Sequence, residues 1–353
     1  MRVLILSDRE GSGGAEKVAS VQARELARAG LEVRLLTAEG LPNYGPRFRN
    51  WRMLWNRAGV NLFRKTLIDF KPDIVHCHNI HDKFSFAVLK IAQKSGAKVF
   101  LTAHDTYLFY PGKYFPPPAT QPSLGLRYNP FRNLVIKYYL KYIHQIFAVS
   151  DALGESLRAH GIASVTLHNG VDVLAWQAEY SKLEEFKIRY NLAGRKVILW
   201  VGRLSDLKGG VVVPAMIDRV RSEVSEAVIL GIGKEVKLTN EEMPLAYAVA
   251  DVVIVPSVYL DPFPTIVLEA GASGRPVVVT NMGGAKEAVV EGETGFVADP
   301  YSPVFADKII ELLRNHEKAR KMGEKAREHI SSNFSLKKQV EKLGSCYTAA
   351  YKK

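Results

Sequence analysis

Residues 251–280, DVVIVPSVYLDPFPTIVLEAGASGRPVVVT, read in order as strand, turn, helix and strand. The Val252–Val255 run is apolar without alternation, the pattern of a strand buried on both faces, and Val277–Val279 repeats it. Between them Asp261-Pro262-Phe263-Pro264 turns the chain, and the segment from Thr265 has helical composition closed by Gly274. Two buried strands joined by a helix imply a parallel sheet with helices on its faces.

The same alternation runs outward from this stretch. RVLILS, LEVRLLT, DIVHCH, KVFLTA, IFAVS and SVTLH supply strand-length runs in the first half, and KVILWVG and AVILGI in the second. Helical patterns separate them, so the chain reads as α/β with two doubly wound, Rossmann-like series. At 353 residues it is too long for one ordinary core. The expected organisation is a first domain over 1–175, a charged helical stretch near 181–190, a second domain over 190–330 and a terminal helix within 331–353. One region, YPGKYFPPPATQPSLGLRYNPF (residues 110–131), interrupts the pattern and reads as a long ordered loop before a helix near Leu134.

Hydrophobic residues make up 47% and charged residues 24%, the balance of a soluble globular protein, and no apolar run reaches the roughly 18 residues of a membrane span. MRVLILSDRE turns acidic at Asp8, which fits a first strand better than a signal peptide. With only Cys77 and Cys346, neither a disulfide framework nor a four-cysteine zinc site is available, and a cytoplasmic protein is expected.

The net charge of +12 is concentrated: residues 1–170 hold 23 Lys/Arg against 12 Asp/Glu. Arg47, Arg49, Arg52, Arg57, Arg64 and Lys65 form one stretch without an acid, and Lys113, Arg127, Arg132, Lys137 and Lys141 another. Aromatic residues such as Trp51, Trp55, Phe131, Tyr138 and Tyr142 are interleaved. Such a surface suits peripheral contact with an anionic membrane face or a phosphate-bearing acceptor, with Arg47, Arg52 and Lys113 as acceptor-side candidates. No helix-turn-helix, finger or RNA-binding signature accompanies it, so nucleic acid is not expected. The plain alternative is a solvated basic face.

Three turns carry candidate chemistry. Gly11, Gly13 and Gly14 follow the first strand and let a helix N-terminus approach an anion, although their spacing is not the dinucleotide fingerprint. WVGRLSDLKGG (residues 200–210) puts Arg203 and Lys208 at the carboxyl end of a strand, where two cations suit a diphosphate. Asp261 and Glu269 flank the turn of the quoted stretch, with helix N–H groups near Thr265 and Ile266 between them. Phosphate on those N–H groups and sugar hydroxyls on the carboxylates are what a nucleotide-sugar presents. Either acid alone could instead be structural. His76 and His78 share a strand face with His81 nearby. Without a carboxylate or thiol on that face they read as core or cleft residues, and no metal is assigned.

Together these motifs resemble the retaining glycosyltransferases of family 4 (glycosyl transferases group 1), whose fold is the two-Rossmann GT-B. GSGGAE, KPDIVHCHN, LTAHD, IFAVS, LHNGVD, VGRLSDLKG, the ADVVIVPS to LEAGASGRPVV run and GGAKEAVVEGETGFV occur in the family's order over nearly the whole chain. The resemblance implies two domains facing a cleft, with the last helix returning to the first domain and Asn169-Gly170-Val171-Asp172 at the crossing. It implies that Arg203 and Lys208 hold the donor diphosphate, that Gly13 and Gly14 approach the donor from the opposite domain, and that His104 lies beside the transferred sugar. Asp261 would meet sugar hydroxyls and Glu269 the ribose, while Gly202, Pro264, Thr265 and Ile266 line the donor site. No Asp-x-Asp triplet is present, in keeping with a metal-free site without a cofactor, and a UDP-sugar donor is expected from family frequency.

Two departures from the family stand out. Its motif has Glu where this chain has Asp261, one methylene shorter, and the segment from Lys208 to Asp251 lacks a helix and a strand. A non-catalytic nucleotide-sugar-binding subunit and a nucleotide-sugar epimerase of related architecture remain open readings.

Overall fold

A computed structural model of the chain describes residues 1–10, 13–42, 52–81, 83–110, 130–202, 205–233 and 236–352. They divide into two compact units, one formed by residues up to Asn169 together with those from Leu336 onward, the other by Gly170–Ser335.

In the first unit β1 (Arg2–Ser7), β2 (Glu32–Thr37), β3 (Ile74–Cys77), β4 (Lys98–Ala103), β5 (Gln145–Ala148) and β6 (Val165–Thr166) form a sheet in the order β2-β1-β3-β4-β5-β6. Every pairing is parallel. Successive strands are linked by α1 (Gly14–Arg28), α2 (Arg57–Phe70), α3 (Ala87–Lys94), α4 (Pro130–Leu140) and α5 (Asp151–Ala159). The helix starts follow local chemistry: the Asn56 side chain accepts from the Ala58 and Gly59 N–H groups, and Ser150 Oγ accepts from Leu153 N.

In the second unit the order is β11-β10-β9-β7-β8, for β7 (Lys196–Val201), β8 (Ala227–Ile232), β9 (Val252–Val255), β10 (Val277–Thr280) and β11 (Gly295–Ala298), again all parallel. Helices α6 (Leu183–Arg189), α7 (Val213–Glu223), α8 (Met243–Val249), α9 (Thr265–Ala272), α10 (Pro303–Arg314) and α11 (His316–Asn333) surround it. Ile198, Trp200, Ile254 and Val278 pack against α7 and α10 in one core. Strand β11 escapes the sequence reading because GFVA is short and follows a turn-rich segment. Among the described residues no helix or strand separates β8 from α8, so β8 is the sheet's edge, as the shortness of that segment suggests.

The final helix, α12 (Leu336–Tyr351), belongs to the first unit. Leu336, Val340, Leu343 and Tyr347 recur at helical spacing and join Val3, Ile5, Ile74, Phe100 and Phe147 in the core. Helix α11 ends at Asn333 and still buries Ile330, whose side chain abuts Gly271 of α9. No described helix is long and apolar enough to cross a membrane.

Candidate functional site

In the second unit the sequence candidates converge on the carboxyl ends of β7 and β9. Beyond β7 a short helical turn, Asp206–Lys208, ends at Gly209 with φ 106°. A Cβ on Gly209 would lie 2.4 Å from Pro256 Cγ, so only glycine lets this loop close onto the segment after β9. Lys208 is thereby carried to Asp261: its Nζ donates to Asp261 Oδ2 at 2.5 Å and stands 5.3 Å from the centre of the Tyr259 ring. Ser257 Oγ donates to the same carboxylate oxygen at 2.9 Å. Gly283, with φ 72°, presses on the Asp261 backbone, where a Cβ would meet the carbonyl oxygen at 2.3 Å, and Gly284 N donates to that carbonyl at 2.8 Å.

Pro264 opens α9 without a side-chain cap, which leaves the first turn's N–H groups near Thr265 and Ile266 to another acceptor. Gly202, with φ 125°, lies beside that turn, its missing Cβ 3.9 Å from Ile266 Cδ1. One turn on, Glu269 is held at both oxygens: Tyr247 Oη donates to Oε2 at 2.6 Å and Thr265 Oγ1 to Oε1 at 2.9 Å. Tyr247 is fully buried on α8 and stacks edge-on to Trp176. Burial, and then the neighbouring Glu269 carboxylate, keep the phenol protonated far above its usual range. The second unit thus presents a cation, two carboxylates and an uncapped helix N-terminus around one turn. That set suits a phosphate-bearing, hydroxyl-rich ligand.

In the first unit His104 follows β4 and shares a proton with His78, the two rings in contact through His104 Nε2 and His78 Nδ1 at 2.8 Å. His78 in turn stacks on His76 with centroids 4.6 Å apart. His76 Nδ1 meets the Tyr347 hydroxyl of α12, and its Nε2 lies 2.8 Å from Thr102 Oγ1. Burial pushes His104 and His76 down to about 3, His76 with a smaller contribution from His104, and lowers His78 as well, so the ladder is neutral. His78 Nε2 is buried with no partner among the described residues. A bare acceptor is cheaper to bury than a bare N–H, so His78 carries its proton on Nδ1 and donates to His104. His104 then keeps its own proton on Nδ1.

Gly13 caps α1 in extended conformation, with the Glu16 carboxylate 2.5 Å from where its Cβ would be, while the space around Gly14 is open. Arg52 is half-buried just ahead of α2. Arg47, Lys113 and Arg203 lie outside the described residues. Arg132, grouped by sequence with the surface cations, is instead buried. The sequence reading missed Tyr247 and Ser257, which hold the two acids, and read His78 only as a core or cleft residue.

The sequence pattern of the family described as Glycosyltransferase Family 4 matches residues 12–173, and that of Glycosyl transferases group 1 matches residues 227–329. D-inositol 3-phosphate glycosyltransferase of Corynebacterium efficiens is 39% identical over 129 residues, 35% of this chain and 30% of that protein. Among solved structures, sucrose-phosphate synthase from Thermosynechococcus elongatus superposes with a TM-score of 0.77 at 18% identity over 99% of both chains. Anabaena Alr3699/HepE in complex with UDP-glucose gives 0.70 at 16% identity over 99% of this chain and 100% of that one. At such identities the structures speak for the fold. The chain spans less than two thirds of the length of the first curated relatives it matches, from 30% to 65%.

Proposed function

The chain belongs to the GT-B glycosyltransferases of the group 1 and family 4 type, and we propose that it moves a sugar from a nucleoside-diphosphate donor to an acceptor hydroxyl with retention at the anomeric carbon. The observation that carries this reading is the cluster in the second unit, where Lys208, Asp261 and Glu269 gather around the uncapped start of α9. A diphosphate suits Lys208 and the α9 N–H groups, with Arg203 joining them from its place in the sequence. The ribose suits Glu269, and the sugar hydroxyls suit Asp261. A UDP-hexose donor is in keeping with the UDP-glucose named for the Anabaena structure. An anionic or lipid-linked acceptor is in keeping with the positive first half of the chain and with the inositol phosphate in the name of a relative.

In the proposed step the bond between the sugar C1 and the donor phosphate oxygen breaks while the acceptor oxygen bonds C1 on the same face. The acceptor proton passes to the departing diphosphate. Negative charge grows on that phosphate, and Lys208, Arg203 and the helix N-terminus lower its energy without a metal ion. His104, neutral and with its proton on Nδ1, donates a hydrogen bond to the transferred sugar. No glycosyl-enzyme is formed on this route.

The test is binding of UDP, GDP and ADP, free and hexose-linked, followed by an acceptor panel with the product anomer assigned by NMR. Base-selective binding that Lys208→Ala weakens, and a product of unchanged anomeric configuration in the presence of a metal chelator, are expected. An isomerised donor without acceptor would make the chain an epimerase. Binding without transfer to any acceptor would make it a non-catalytic subunit.

A further inference from the structure

Strands β1, β3 and β4 lie side by side, and at their amino ends the first unit holds a cavity of about 440 Å³. His104 follows the opposite end of β4, and the six residues of that strand rise roughly 17 Å, so a small molecule in the cavity is out of its reach.

Three cations line the cavity. Arg2 opens β1, Lys98 opens β4 and Lys71 closes α2. None of their side chains has an ion-pair or hydrogen-bond partner among the described residues. Asp73, the acid beside them, turns one oxygen to the backbone, its Oδ2 accepting from Arg2 N at 2.7 Å. In the second unit, by contrast, Lys187, Arg189, Arg219, Arg314 and Arg320 all sit in ion pairs. Like charges gathered round one cavity repel, and a bound anion relieves them. Lys71 carries a second mark: it ends α2 in the left-handed conformation, φ 47° and ψ 62°, where glycine is the usual residue and a lysine is strained. The backbone there favours glycine, and only the side chain favours lysine.

The remaining walls have another chemistry. Leu67 and Pro72 are buried and apolar, and Tyr351, 56% exposed, stands at the end of α12. Ser95 Oγ donates to the Ala92 carbonyl at 2.7 Å, which leaves its lone pairs to accept, and Asp73 keeps Oδ1 for a donor.

We propose that this cavity binds a sugar phosphate, the phosphate monoester of a small polyhydroxy compound, at a site separate from the donor cluster of the second unit. Arg2, Lys71 and Lys98 take the phosphate, Asp73 and Ser95 accept from hydroxyls, and the sugar ring lies against Tyr351. The volume is near the small end of the range for ligand pockets, about 300 to 1,000 Å³, which suits one ring and its phosphate. Three cations against one carboxylate give a balance of +2. Helices α2, α3 and α12 end at this edge with about half a negative charge each, and Lys94 and Lys352 at the last two offset part of it, so the sum stays positive. Tyr347, one turn before Tyr351, meets His76 Nδ1, so a ligand against Tyr351 steadies the part of α12 that holds the histidine ladder. The site stands independently of the transferase reading.

The experiment is calorimetric titration of the full chain with glucose 6-phosphate, glucose 1-phosphate, AMP, inorganic phosphate and glucose, each repeated in saturating UDP. Expected are one equivalent of a glucose phosphate, undisturbed by UDP, bound about tenfold tighter than inorganic phosphate or glucose, and a loss of about tenfold or more in Lys71→Ala/Lys98→Ala. Amide exchange around Tyr347 should slow when the ligand is bound. Lys71→Gly separates side chain from backbone: its urea midpoint should be no lower than that of wild type while binding weakens by about fivefold. If UDP itself is not bound, the donor reading fails and the sugar phosphate result stands by itself. The proposal is overturned if neither glucose phosphate is bound at millimolar concentration, if UDP displaces it, or if Lys71→Ala/Lys98→Ala binds it as wild type does. Inorganic phosphate bound as tightly would leave an adventitious ion only, and AMP bound more tightly would assign the cavity to a nucleotide, either of which overturns the class named.

Discussion

Lys208 and Asp261, 53 positions apart, are joined by one hydrogen-bonded ion pair, with side chains 19% and 5% exposed. Removing the lysine leaves a nearly buried carboxylate held by the Ser257 hydroxyl. Lys208→Ala is therefore expected to destabilise the second unit by roughly 3 kcal/mol. The double change Lys208→Met/Asp261→Leu should restore much of that loss while leaving transfer abolished. Urea midpoints of the two variants check this, and a single variant as stable as wild type would show that the pair carries no structural weight.

Tyr247 holds Glu269 from α8, and its hydroxyl is the group whose removal leaves the ring packing in place. Tyr247→Phe should weaken nucleotide binding by about fivefold to tenfold, the value of one charge-assisted hydrogen bond. Because the proposed target of Glu269 is the ribose, the penalty should shrink for a 2′,3′-dideoxy nucleotide. An equal penalty for both ligands would give Tyr247 a purely structural role and remove the ribose from Glu269.

Much of this was legible from periodicity. Apolar runs bounded by Gly and Pro located ten of the eleven strands among the described residues, and Lys208 and Asp261 were singled out because each stands in the turn that follows such a run, Glu269 because it lies one turn into the next helix. What joins them was not legible. The closeness of Lys208 to Asp261 depends on Gly209 meeting Pro256, and the orientation of Glu269 on a tyrosine 22 positions away, contacts that no local pattern encodes. Arg132 failed for the opposite reason: charge counts expect cations outside, and a helix that turns its arginine inward to hold carbonyls gives no sign in composition.

The histidine ladder gives the first unit a pH response. Unfolded, His76 and His78 titrate near their ordinary value of 6.5, whereas burial holds His76 at about 3 and His78 well below its ordinary value. Below pH 6.5 the unfolded chain therefore binds protons that the folded chain cannot. Stability is then full above that pH and falls as pH drops through it, by up to about 1.4 kcal/mol per pH unit for each histidine. Urea midpoints between about pH 8 and about pH 5 should show the decline, and His78→Phe should flatten it by one group's share. A profile that is level across this window in the wild type would mean that the ladder takes up protons while folded.

His78 also makes a catalytic prediction, since its Nδ1–H keeps the proton of His104 on the nitrogen that faces away from it. His78→Phe preserves the stack on His76 but frees His104 Nε2 to carry the proton, so kcat should fall by about tenfold or more while donor affinity stays within about twofold. His78→Asn can still present an N–H at the position of Nδ1, and should recover most of the lost rate. Nitrogen-15 shifts of His104 report the tautomer directly: Nδ1–H in the wild type and in His78→Asn, and a shift toward Nε2–H in His78→Phe. If His78→Phe lowers the rate while the His104 tautomer is unchanged, the effect comes from packing and the proton-positioning role is wrong.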